Sequence, residues 1–337
     1  MPDAAPILKP RADRDALKAP FPWFGGKRDV SPLVWSRLGQ PKHYIEPFAG
    51  SLAILLAAPK PASLEVVGDV NGYIANFWRA VAHQPDEVAR WADYPVIHID
   101  LGARHVWIVE RGKTIGDNLQ DPDWPGDAKL AGWWLWGQCA WFGRGWGESP
   151  GRLPASTPYT VGDGGQGIQA RGKVQFLSRP GQGIQARGKG EGPGKMHTSC
   201  GDTAIAWLRR IKARTERVRV IHGDWMRTVN MHFGRFNGGT AALALDPPYL
   251  AFGDVYSQRG TVVARECEEW AREEGKHPRT RIALFGHVGD YDLPGWECVQ
   301  WQRARAAMGS SKTRNSEAIW FSPSCLKPED GDAQLVL

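Results

Sequence analysis

The chain has 337 residues, 42% of them hydrophobic, with a formal net charge of +6 and a pI near 9.1. It is long enough for one large α/β domain with an insertion or for two domains, and too apolar for global disorder. The basic balance points to an anionic partner, while five scattered cysteines (Cys139, Cys200, Cys267, Cys298 and Cys325) without a CxxC pair argue against a disulfide framework or a structural zinc site and fit a reducing cytoplasm.

The opening MPDAAPILKPRADRDALKAP mixes charge and proline and lacks the apolar core of a signal peptide, so residues 1–19 read as a flexible lead-in. PWFGGK (22–27) then puts aromatic rings, two glycines and a lysine in one tight turn. It is not a phosphate-cradling P-loop, which needs GxxxxGK after a strand. Gly25 and Gly26 let the backbone approach a ligand closely, and Lys27 can pair with a carboxylate. VSPLVWSRL (30–38) has helical spacing behind a Ser31 cap. HYIEPFAGS is a short strand, an acid and a glycine turn; LAILLAA reads as a buried helix stopped by Pro59 and Pro61. The run Leu52–Ala58 is the longest apolar one, far short of a membrane span. SLEVVGDVN is again a strand closed by an acid, Asp69, and YIANFWRAVAHQPDEVARWADYP an amphipathic helix or helix pair. Strand, acid and helix in alternation predict βαβ units and a mainly parallel sheet.

Composition shifts near residue 115. WWLWGQCAWFGRGW (133–146) holds five tryptophans among glycines, with Arg144, and its apolar spacing predicts core packing. From about 150 to 200 the chain is rich in glycine and basic residues, and GQGIQARGK occurs identically at 165–173 and 181–189. Two copies are too few for a solenoid. Arg171, Lys173, Arg179, Arg187, Lys189 and Lys195 face one acid, Glu191, in this stretch. Such residues on a glycine-rich backbone suit phosphate contact, with a solvated loop as the alternative. Regular signals return at 203: TAIAWLRRIKARTERV as a helix, VRVIHGD as a strand ending at Asp224, AALALDPPY as another, an exposed acidic helix over 266–274, and RIALFGH and SEAIWFSP as further strands.

Four acids, Glu46, Asp69, Asp224 and Asp246, each follow an apolar strand. A carboxylate there can accept hydrogen bonds from ribose hydroxyls or an adenine amine, so a nucleotide-like ligand is expected at the carboxyl edge of the sheet. The DPPY stretch, Asp246, Pro247, Pro248 and Tyr249, is more specific. An exocyclic base amine is a poor nucleophile because its lone pair is delocalised into the ring. A carboxylate and a proline carbonyl that accept its two hydrogens push density back onto nitrogen, and a tyrosine face holds a base that has left the duplex stack. Such a site suits in-line transfer of a methyl group from a sulfonium.

PWFGGK, YIEPFAGS and DPPY, in this order and with a variable region before the last, resemble the Dam-type DNA adenine methyltransferases over most of residues 20–322, the insertion excepted. The resemblance implies an α/β, Rossmann-like S-adenosylmethionine-dependent fold with a mainly parallel sheet and an inserted target-recognition region. It divides the chain into a cofactor-binding half (20–115), the recognition region (116–200), a catalytic half (201–325) and a tail (326–337). It implies that Trp23, Phe24, Gly25, Gly26 and Lys27 of the turn and Glu46, Phe48 and Gly50 of the loop grip S-adenosylmethionine, with Asp69 on its nucleoside part and Asp224 and Asp246 beside it. Asp246, Pro247, Pro248 and Tyr249 take the catalytic roles derived above. Arg144, Arg171, Lys173, Arg179, Arg187 and Lys189 are the expected DNA contacts. Phe24 stands where the family commonly has alanine, and Ser51 where its loop often carries a second glycine. The expected partner is double-stranded DNA, met by a monomer without metal or membrane, in the cytoplasm or, for a phage-encoded member, the host cytoplasm. Alternatives are a cytosine or RNA amine as target, or a silent DNA-binding relative. Methylation at cytosine carbon-5 is disfavoured, because none of the cysteines follows a proline.

Overall fold

A computed structural model describes residues 17–23, 26–140, 146–147, 204–233, 239–248, 258–301 and 317–327. The chain divides into two units, one drawn from Gly26–Val70 and Arg217–Leu337, the other from Leu17–Gly25 and Asn71–Glu216.

The first unit is built on a seven-stranded sheet among the described residues, in the order β3-β2-β1-β4-β5-β7-β6. Its strands are β1 (His43–Glu46), β2 (Leu64–Asp69), β3 (Val218–His222), β4 (Ala241–Leu245), β5 (Thr280–His287), β6 (Glu297–Trp301) and β7 (Glu317–Phe321). From β3 to β5 the neighbours run parallel, and β7 pairs antiparallel with both β5 and β6. This is the mixed α/β, mainly parallel architecture expected. AALAL has no polar position and is buried along its whole length as the central strand β4, as a parallel strand covered on both faces must be. In β3, at the edge, Arg219 and Val220 are exposed. β6, half-exposed and short of a clear alternation, escaped the sequence reading.

Helix α1 (Ser31–Leu38) starts with Val30 at the N-cap, and the Ser31 hydroxyl donates instead to the Arg28 carbonyl at 2.7 Å. The expected Ser31 cap is therefore one position out: its hydroxyl is spent as a donor to Arg28, not as an acceptor for the first amides of the helix. The expected helix over LAILLAA is a single 3-10 turn, Leu55–Ala57. Gly50 (φ 45°) and Leu52 (φ 56°) both sit in the left-handed region, so an α-helix cannot start there. Leu52, Ile54 and Leu55 are nonetheless buried, so the apolar run packs as expected in another backbone shape. Helices α8 (Trp225–Phe233) and α9 (Gln258–Glu274) also belong to this unit. The acidic helix expected over 266–274 is the second half of α9, with Glu266 and Glu269 exposed and Cys267 and Ala271 in the core.

The second unit holds α2 (Gly72–His83), α3 (Pro85–Ala92), α4 (His98–Gly112), α5 (Ile115–Asn118), α6 (Ala128–Ala140) and α7 (Ala204–Thr215). The expected helix pair is α2 and α3. Asn71 caps α2 through the Tyr73 amide (2.9 Å), and Pro85 can only open a new helix. The tryptophans of α6 do pack: Trp134 and Trp136 are fully buried. Phe21 meets Trp134 edge-on at 4.8 Å, and the Arg104 guanidinium lies over Tyr94, Trp133 and Trp136 at 4.4, 5.0 and 4.3 Å. Gly137 is required there, since a Cβ would stand 1.8 Å from the Trp146 ring. Among the described residues no helix is long and apolar enough to cross a membrane.

Candidate active site

From β1 the chain passes to β2 and β3 on one side, whereas β4 and β5 lie on the other. The strand order thus reverses between β1 and β4, and in open α/β sheets ligands bind in the crevice at such a point, beyond the carboxyl ends of the strands. Because β3, β2, β1 and β4 are parallel neighbours, the four acids that follow them share that edge. With strands about 4.8 Å apart the row spans about 14 Å.

At the reversal stand Glu46 and Asp246. Lys27, only 3% exposed, reaches Asp246 Oδ2 with Nζ at 2.8 Å and lies 5.1 Å from the centre of the Phe285 ring. The pairing of Lys27 with a carboxylate is thus realised, and the partner is the acid of DPPY. Pro247 is buried and Pro248 half-buried behind it. Glu46 is 5% exposed and accepts a hydrogen bond on Oε2 from the Tyr44 hydroxyl at 2.9 Å. Tyr44 and Glu46 are two residues apart on one strand and so lie on the same face. Burial pushes the Glu46 carboxyl up to about 8, and the Asp246 charge adds to this; the Tyr44 hydroxyl, the Leu55 amide and Lys27 pull the other way. Among the described residues no basic side chain lies within ion-pair distance of Glu46.

The EPFAGS loop is fixed to the end of β2 by its backbone. The Ala49 amide donates to the Gly68 carbonyl at 2.8 Å, and the Gly50 amide to Asp69 Oδ2 at 2.9 Å. Gly50 can take its positive φ without the strain a side chain would bring. Next door, the Gly223 amide donates to the Asp69 carbonyl at 3.0 Å. Asp224 accepts from the Met226 amide at 2.9 Å, as N-cap of α8. Trp225 is buried, stacked on Phe48 (6.1 Å, 24°) and edge-on to Trp270 (5.9 Å, 90°). A pocket of about 490 Å³ opens here, lined by Asp224, Trp225, Met226, Glu266, Glu269 and Trp270.

Gly26, Lys27, Glu46, Phe48, Gly50, Asp69, Asp224, Asp246, Pro247 and Pro248 all fall in the first unit. Trp23 falls in the second, against Phe21 at 5.8 Å and Trp134 at 6.2 Å. Phe24, Gly25, Tyr249, Arg144, Arg171, Lys173, Arg179, Arg187 and Lys189 lie outside the described residues. Three side chains at the edge went unread in the sequence. Tyr44 was signalled by its period-two spacing from Glu46, and Trp225 by its place directly after a strand-end acid; Trp270, on a helix distant in sequence, carried no signal. Among the described residues no three His, Cys, Asp or Glu side chains are grouped to hold a metal ion.

Residues 23–94 match the model of the D12 class N6 adenine-specific DNA methyltransferases. The matched stretch contains Lys27, Glu46, Phe48, Gly50 and Asp69 and ends before Asp224 and DPPY. No curated protein matches the chain.

Proposed function

We propose that this chain, a D12 class N6 adenine-specific DNA methyltransferase through its residues 23–94, takes its methyl group from S-adenosylmethionine and delivers it to an adenine swung out of duplex DNA. The observation that carries the reading is the edge at which Lys27 is seated on Asp246, in one row with the strand-end acids Glu46, Asp69 and Asp224. The residues fit the cofactor. Asp69, tied to the Gly50 amide, places a carboxylate beside a bare backbone turn, where a ribose can lie. Asp224 and the aromatic wall of Trp225 offer an acceptor and an apolar face to an adenine ring. Glu46 offers a buried carboxyl to a cationic group.

Bound there, S-adenosylmethionine supplies an electrophilic methyl on a positively charged sulfur. Asp246 and the Pro247 carbonyl accept the two hydrogens of the target amine, which turns the nitrogen lone pair toward that methyl. Once the amine nitrogen carries the methyl group, its surplus proton would leave by way of Asp246 to water. Lys27 is a positioning residue: its ammonium fixes the orientation of the Asp246 carboxylate. The Tyr249 ring holds the extruded base, and the basic residues of the insertion hold the phosphates around it.

The test is incubation with duplex DNA and S-adenosylmethionine carrying a labelled methyl. Label passes into the DNA with wild type, and Asp246→Ala binds cofactor but transfers none. Label that stays out of DNA while wild type binds the cofactor would overturn the reading.

A further inference from the structure

Two carboxylates, Glu46 and Asp246, bear on each other across the β1–β4 reversal, and one ammonium, Lys27, serves both. That ammonium is seated on Asp246 at 2.8 Å. What faces Glu46 directly is neutral: the Tyr44 hydroxyl from its own strand and the Leu55 amide from the 3-10 turn, with Asp246 and Lys27 acting at longer range. Among the described residues a second negative charge in so dry a place has only the Lys27 ammonium, already seated on Asp246, to offset it, and the neutral carboxyl is the form that burial favours.

We infer that Glu46 is protonated in the ligand-free protein and gives up its proton when the sulfonium cofactor binds, so that cofactor uptake is coupled to the release of one proton. The inference rests on the reading that S-adenosylmethionine occupies this edge. The molecule is a net cation at neutral pH, with a sulfonium, an ammonium and a carboxylate, and so brings the positive charge that Glu46 lacks. No covalent bond to the cofactor is involved: the carboxyl O–H bond breaks, the electron pair stays on oxygen, and the proton goes to buffer. A step that releases a proton is favoured as pH rises, so the affinity climbs up to the pH at which free Glu46 itself ionises, about 8. Below that point the dissociation constant falls on the order of tenfold per pH unit.

The experiment is isothermal titration calorimetry of the full chain with S-adenosylmethionine, near neutral pH, in two buffers of different ionisation enthalpy. The buffer dependence counts protons, and the reading is the difference between wild type and Glu46→Gln, which cancels protons exchanged by the cofactor's own amine. The expected difference is close to one proton released per cofactor bound. Tyr44→Phe removes a hydrogen bond that favours the carboxylate, so its affinity profile moves to higher pH. Wild type that binds with the same proton count as Glu46→Gln overturns this inference alone. Wild type that does not bind the cofactor overturns the inference together with the cofactor reading.

Discussion

Exchange of Glu46 for Gln tests the electrostatics of the sheet edge without any ligand. The carboxyl titrates from an ordinary 4.5 in the unfolded chain to about 8 in the folded one, chiefly because it is buried. Between those values the native state holds a proton that the unfolded state has lost, so wild type loses stability as pH rises through the window. Below 4.5 both states are protonated and the penalty is absent; above 8 both are ionised and it is complete. Glutamine keeps the shape and the capacity to accept from Tyr44 but does not titrate. From pH 5 to pH 8 the advantage of Glu46→Gln over wild type should therefore grow by up to about 4 kcal/mol, at about 1.4 kcal/mol per pH unit. Urea unfolding at several pH values, extrapolated linearly to water, gives that difference directly. A difference that stays flat over the window would mean that Glu46 is already ionised in the free protein, and the charge argument built on it would fall.

Lys27→Met takes the ammonium away from Asp246 in a mostly buried place, and should cost about 3 kcal/mol in urea unfolding, at the low end for broken buried pairs because Asp246 keeps some solvent. Its turnover should fall more than its cofactor affinity, since Lys27 holds the acid rather than the donor; equal losses in both would count against a positioning role. Asp69→Ala removes the acceptor of the Gly50 amide along with the proposed ribose contact, so equilibrium binding of S-adenosylmethionine should weaken by at least tenfold for a stability loss of only about 1 to 2 kcal/mol. Trp225→Ala empties the space between Phe48 and Trp270, with an expected cost of about 3 to 5 kcal/mol, whereas Trp225→Phe should keep most of the stability and reveal through binding whether the wider ring face serves the cofactor.

Much of the sheet was legible because its strands are short apolar runs closed by an acid, a signal that survives without knowledge of tertiary contacts. Glu46, Asp69, Asp224 and Asp246 were read in this way, and the parallel alignment of their strands brings them to one edge. What failed was local shape where tertiary packing overrides propensity. LAILLAA is helical in composition, yet the turn that ties Gly50 to Asp69 sets Leu52 at positive φ and leaves one 3-10 turn. The helix α4 was unread because HIDLGARHVWIVERG places charges and a glycine among its apolar positions and lacks an N-cap side chain. That Lys27 meets a carboxylate was readable from its place beside two glycines; which carboxylate was not, because β4 comes next to β1 only through the strand order of the whole sheet.

The central claim is that DPPY, with Lys27 seated on its acid, directs a methyl group to the exocyclic amine of adenine. Nucleoside mass spectrometry of duplex DNA incubated with the protein and S-adenosylmethionine tests it most directly, with wild type and Asp246→Ala side by side. The account predicts N6-methyladenine with wild type and none with Asp246→Ala. Methylated adenine in equal amount from both proteins, or a methylated base other than adenine from wild type, would contradict it.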